Sequence, residues 1–123
     1  MAAVTSDGGD PRGSAHVLAD LWQVDPRLLR DAARIEALMR EAADAARARV
    51  LAGHFHVFGG EGGVTGVLLL AESHLSIHTW PEIGLAAVDA FMCGRARAEV
   101  AIEVLRVAMG AELRAHTVVR RGA

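Results

Sequence analysis

The stretch AESHLSIHTWPE, residues 71–82, decides how this chain is read. Residues 74–80 read as a β-strand, in which side chains of one parity share a face. Ser73, Leu75, Ile77 and Thr79 then point one way, and His74, Ser76, His78 and Trp80 the other. One face thus gathers two histidines, a serine and a tryptophan, more chemistry than packing requires.

Working outward, residues 64–71 and 50–58 read as strands joined by GGEGG (59–63), a turn suited to unusual backbone angles. Residues 85–91 form a further strand, ended by Cys93-Gly94, and 113–119 a last one. HVLADLWQ (16–23) opens the sheet. Asp25-Pro26 looks like an N-cap followed by proline at the first helical position. Leu28, Ala32, Ile35, Met39, Ala42 and Ala46 then recur at steps of four and three, which predicts one helix running to about Arg49. A second helix is predicted over 95–109, with Val100, Val104 and Val107 as its apolar positions. The order of elements predicts an α+β fold: a two-layer sandwich, mostly antiparallel, with two helices on one face. The other face needs a cover, and a homodimer is expected to supply it.

At 123 residues the chain holds one domain, expected over 15–123 behind a flexible tail of residues 1–14. A composition 52% hydrophobic with a net charge of −2 gives no electrostatic case for nucleic acid or an anionic membrane. No apolar run is long enough to span a bilayer, and the first residues lack a secretion-signal pattern. The single cysteine, Cys93, excludes an internal disulfide and is expected in a reducing cytoplasm. All 13 basic residues are arginine. A chain without lysine cannot hold pyridoxal phosphate as the usual internal Schiff base, so amine chemistry would need another carbonyl.

Two generic sites compete for the histidines. His54 and His56 alternate on one face and could chelate a metal with His74 or His78, but no third ligand is fixed by spacing and Cys93 lacks a CxxC partner. A Ser/His/Asp hydrolase has less support: there is no G-x-S-x-G elbow, and nothing in the spacing sets Asp89 behind either histidine.

ESHLSIHTWPE followed by GLAAVDAFMCG, with FHVF at 55–58 and GVTGV at 63–67, resembles the prokaryotic S-adenosylmethionine decarboxylases over about residues 16–118. These are small self-processing enzymes that carry a pyruvoyl group. The resemblance implies cleavage between Glu72 and Ser73, giving a β chain of residues 1–72 and an α chain of residues 73–123. Ser73 would become the pyruvoyl cofactor, which forms a Schiff base with the substrate amine. By the same resemblance His78 moves the proton during processing, with Thr65 where a serine is usual, and Cys93 returns a proton to the product. Phe58 would stack on adenine and Glu82 would hold the ribose hydroxyls. The implied product is decarboxylated S-adenosylmethionine, for spermidine biosynthesis. GGEGG replaces a shorter, proline-containing loop, Ile83 and Leu85 stand where aromatics are frequent, and Met92 replaces a frequent threonine. Glu61 and Asp20 could instead serve a cationic substrate, so arginine or ornithine is the alternative. An unprocessed, non-catalytic relative is a third reading.

Overall fold

The computed structural model describes residues 13–122. The expected tail lies outside these residues except at its end, where Ser14 is fully buried and opens the first strand. That strand, β1 (Ser14–Trp22), leads into α1 (Pro26–Leu29) and α2 (Ala32–Ala45). Next come β2 (Val50–Val57), β3 (Val64–Leu70) and β4 (Ser73–Trp80). A 3-10 turn (Pro81–Ile83) precedes β5 (Leu85–Met92), α3 (Ala98–Ala108) and β6 (Glu112–Arg121). The six strands form one sheet in the order β2-β3-β4-β5-β1-β6, and every neighbouring pair is antiparallel. The α+β sandwich is as expected, with α2 and α3 packed together on one face.

The single helix expected from Asp25 to Arg49 is two helices. Asp25 caps the first by accepting from the Arg27 amide at 2.9 Å, and Asp31 caps the second by accepting from the Arg34 amide at 3.0 Å. An aspartate satisfies an otherwise orphaned amide, so the second cap lets the chain restart at a new angle. The apolar stripe nevertheless holds: Ile35, Met39, Ala42 and Ala46 are fully buried. The stripe expected on α3 is corrected. Ala98, Ala101, Ile102 and Leu105 face the core, whereas Val107 is 63% exposed. Small alanines permit close approach to the sheet, and the valines ride on the flank.

Alternation along β4 follows the expected faces. Leu75, Ile77 and Thr79 are buried under the helices, while His78 and Trp80 lie on the opposite, open face. Thr79 joins the layers: its hydroxyl donates to the Leu29 carbonyl at 2.7 Å and accepts from the Val64 amide at 2.8 Å. The approach leaves no room for a side chain at Gly63, where a Cβ would stand 2.1 Å from the Thr79 carbonyl oxygen. Leu18, Leu69, Trp80 and Val119 remain 41–54% exposed on the open face. Helices therefore cover one face of the sheet and leave these apolar side chains exposed on the other.

Candidate active site

The two-residue turn Ala71–Glu72 joins β3 to β4, with Leu70 paired to Ser73. Glu72 adopts φ 54°, the left-handed region that costs a residue with a Cβ roughly 1–2 kcal/mol. The strain sits on the residue expected to supply the scissile carbonyl. Cys93, just past the end of β5, meets this turn twice. Its thiol donates to the Glu72 carbonyl oxygen at 3.3 Å, and its backbone amide donates to Ser73 Oγ at 3.2 Å. The first residue of β1 completes the group, with Ser14 Oγ 3.0 Å from Cys93 Sγ. Cys93 is 4% exposed. Glu72, Ser73 and Cys93 are thus brought together as expected. Ser14 was missed, because a lone serine among tail-like residues carries no periodic signal.

A second group lies at the far end of β4. Thr65 is directly opposite His78 across the β3–β4 ladder, and Thr65 Oγ1 is 3.1 Å from His78 Nδ1. These residues border a pocket of about 320 Å³ with Phe58, Trp80 and Glu82. Phe58 is 50% exposed, with its ring edge-on to His56 at 4.7 Å. His78 does not reach Ser73 within one chain. The two are five residues apart on one strand and of opposite parity, roughly 16 Å at the rise of a β-strand. The predicted site residues therefore form two groups, not one.

Between them, on the open face, Asp89 binds His74, for which the spacing alone gave no aspartate, and also His16. Its Oδ2 lies 2.6 Å from His16 Nε2 and 2.8 Å from His74 Nε2, and its Oδ1 accepts from the Ser76 hydroxyl. Burial acts to raise the Asp89 pKa. Hydrogen bonds from His74, Ser76 and His16 outweigh it and hold the carboxyl well below the ordinary carboxylate range. Ser76 and His74 both address the carboxylate rather than each other, so this is not a nucleophile–base–acid relay. The signal existed: Ser76 and Asp89 are cross-strand partners, but their register is invisible without the turn at the 3-10 segment.

Among the described residues, the group with metal-ligand geometry is His16, His74 and Asp89, with donor atoms within 4.8 Å of one another. It shares only His74 with the set weighed from the sequence, which was His54 and His56 with His74 or His78. Arg121 Nη1 stands 3.4 Å from His16 Nδ1. The guanidinium can only donate, so Nδ1 keeps its lone pair and Nε2 carries the proton given to Asp89. That tautomer is unsuited to metal ligation through Nε2. Beside this group, a concavity of about 640 Å³ runs along β1, β5 and β6, bordered by Leu18, Asp20, His78, Asp89 and Thr117. Glu61 is exposed at the β2–β3 turn, where its backbone carbonyl accepts from Arg30 Nε at 3.3 Å. No helix among the described residues is long and apolar enough to cross a membrane.

The sequence and the fold are matched by known proteins. Residues 15–122 match the family model described as S-adenosylmethionine decarboxylase. An S-adenosylmethionine decarboxylase proenzyme of Caldanaerobacter subterraneus subsp. tengcongensis is 51% identical over 79 residues, 64% of this chain and 63% of that protein. The match therefore spans less than two thirds of that relative's length. The proenzyme of Thermodesulfovibrio yellowstonii is 37% identical over 108 residues, 87% of this chain and 79% of its own. The crystal structure of the adenosylmethionine decarboxylase from Aquifex aeolicus superposes with a TM-score of 0.80 at 35% identity, covering 89% of this chain and 91% of that one. The strained Glu72-Ser73 turn held by Cys93 thus lies within a matched sequence and a matched fold, and the chain belongs to the S-adenosylmethionine decarboxylase family.

Proposed function

We propose that the chain is a proenzyme that cuts itself between Glu72 and Ser73 and then decarboxylates S-adenosylmethionine. The observation that carries this reading is the Glu72 carbonyl, strained at φ 54° and hydrogen-bonded by the Cys93 thiol, beside a Ser73 hydroxyl held by the Cys93 amide. Attack by Ser73 Oγ on the Glu72 carbonyl carbon forms an ester as the peptide C–N bond breaks. The Cys93 S–H is aimed at the oxygen on which negative charge develops, where a fixed donor is most effective. Elimination releases the Glu72 carboxylate, and hydrolysis of the resulting dehydroalanine releases ammonia. Ser73 thereby becomes a pyruvoyl group, the carbonyl that a chain without lysine needs. When present, that group supplies an electron sink for the loss of carbon dioxide. Cys93, already at its side, is the group suited to return the proton.

The attack also needs a base, and none of the groups bonded to Ser73 is one. His78, polarised by Thr65, has the chemistry but lies at the other end of β4. We infer that two copies pack through their open sheet faces, related by a two-fold axis. The partner subunit's His78 and Thr65 are then carried to the Ser73 end of β4, beside the Glu72–Ser73 peptide, and each dimer holds two complete sites. Exposed Leu18, Leu69, Trp80 and Val119 supply the apolar contact for such a face. Phe58 would stack on the adenine and Glu82 would accept from the ribose hydroxyls, both beside His78. Glu61 is exposed on its turn, and the carboxylate bordering the pocket beside His78 is Glu82.

The test is the denaturing mass spectrum of the purified protein. Two fragments, 1–72 and 73–123, are expected, the second bearing pyruvoyl in place of serine, together with carbon dioxide release from S-adenosylmethionine. Ser73→Ala should stay as one uncut chain without activity. An intact wild-type chain after long incubation would overturn the reading.

A further inference from the structure

We propose that Asp89 is a positioning residue that, through His74, holds the chain end created by cleavage beneath Cys93. The inference rests on the self-cleavage proposed above. Before cleavage a two-residue turn tethers Ser73 to β3. After cleavage Ser73 begins a chain, and chain ends fray unless something ties them down. The ladder toward β5 starts only at the next residue, where His74 pairs with Phe91. Ser73 keeps its pairing with Leu70 of β3, but on the β5 side, where Cys93 lies, its position depends on its neighbour.

His74 is bound more firmly than a strand residue requires. Its Nε2 donates to Asp89 Oδ2 at 2.8 Å, and its ring lies against Phe91 and edge-on to His16, at 6.1 and 5.6 Å between centroids. Asp89 in turn is gripped from β1 by His16 and from β4 by Ser76 as well as His74. Arg121 holds the far side of His16 and lies over the Phe91 ring at 5.6 Å. The carboxylate thus has three donors for roughly four lone-pair sites, which suits a fixed anchor rather than a proton acceptor in the reaction. Three strands are joined at one point, one residue from the reactive end.

The experiment compares His74→Leu, His74→Gln and Asp89→Asn, each as the cleaved full-length protein. The readouts are kcat, KM and hydrogen exchange of the backbone amides at residues 74–76. Loss of a charge-assisted hydrogen bond predicts that His74→Leu and Asp89→Asn lower kcat about tenfold, with KM within about twofold and faster exchange at 74–76. His74→Gln, whose side-chain amide can donate at the same reach, should keep kcat within about threefold of wild type. Wild-type kcat and protection in His74→Leu would overturn the proposal, as would His74→Gln failing as badly as leucine. If His74→Leu does not fold, Asp89→Asn against His74→Gln decides the same question. Wild type that cleaves while all three variants match it defeats this inference alone; wild type that never cleaves defeats both readings.

Discussion

The two ends of β4 differ in kind. At Ser73, groups from β1, the β3–β4 turn and the residue after β5 converge within one chain, and a strained carbonyl is already hydrogen-bonded. At His78, an imidazole and its hydroxyl partner sit beside an aromatic ring and a carboxylate. In the function proposed above, one end holds the bond to be broken and the other the base that moves its proton. A strand separates them as a rigid spacer, and the proposed dimer joins them by bringing the His78 end of one copy to the Ser73 end of the other.

Mixing two inactive variants tests this division most severely. Ser73→Ala and His78→Ala should each be dead alone. Co-expressed, random pairing makes half the dimers hybrid, each with one of two sites intact, so activity should return to about a quarter of wild type. A mixture as dead as its parents would mean that the two ends do not serve one site across the dimer.

Next in size is the thiol. Cys93→Ala removes the donor on the Glu72 carbonyl and should slow cleavage about 10²-fold, followed by the disappearance of the intact chain in mass spectra. Unchanged cleavage would confine Cys93 to the later proton transfer.

Asp89 sharpens the comparison through pH. Its folded pKa lies below its unfolded value of about 3.9, so its contribution to stability is fully present above that pH. As pH falls below 4 toward the lower folded value, protonation removes it. Acid unfolding of wild type should therefore show a loss of stability in this window that Asp89→Asn lacks, measured by denaturant midpoints between pH 5 and pH 2. Parallel curves would show that the three hydrogen bonds add nothing on folding.

The smallest effect is expected at Thr65. Thr65→Ser keeps the hydroxyl at His78 and should change the cleavage rate by less than about threefold, whereas Thr65→Val, which removes it, should slow cleavage more. Equal rates in all three would exclude the hydroxyl from processing.

Much of this was legible beforehand because it is local. Alternation from Ser73 to Trp80 separates buried Leu75 and Ile77 from open His78 and Trp80 without any knowledge of neighbours. The α2 stripe is equally local, since a 3.6-residue period needs only its own helix. What escaped was set by partners distant in sequence. The break at Asp31 lies inside an unbroken apolar stripe, so periodicity passes over it. On α3, alanines outcompete valines for the core because the sheet lies close, a fact about the sheet rather than the helix.

The sequence by itself determined the order of strands and helical regions, the pairing of Glu72 with Ser73 at a turn, and the chemistry available at Thr65, His78 and Cys93. Adjacent residues and fixed periods carry that information along the chain. Only the tertiary structure decided which groups meet. Ser14 reaches Cys93 across 79 positions and His16 reaches Asp89 across 73, contacts created by strand register and sheet order. The same register keeps His78 away from Ser73, because a β-strand is stiff and presents alternate residues to opposite faces.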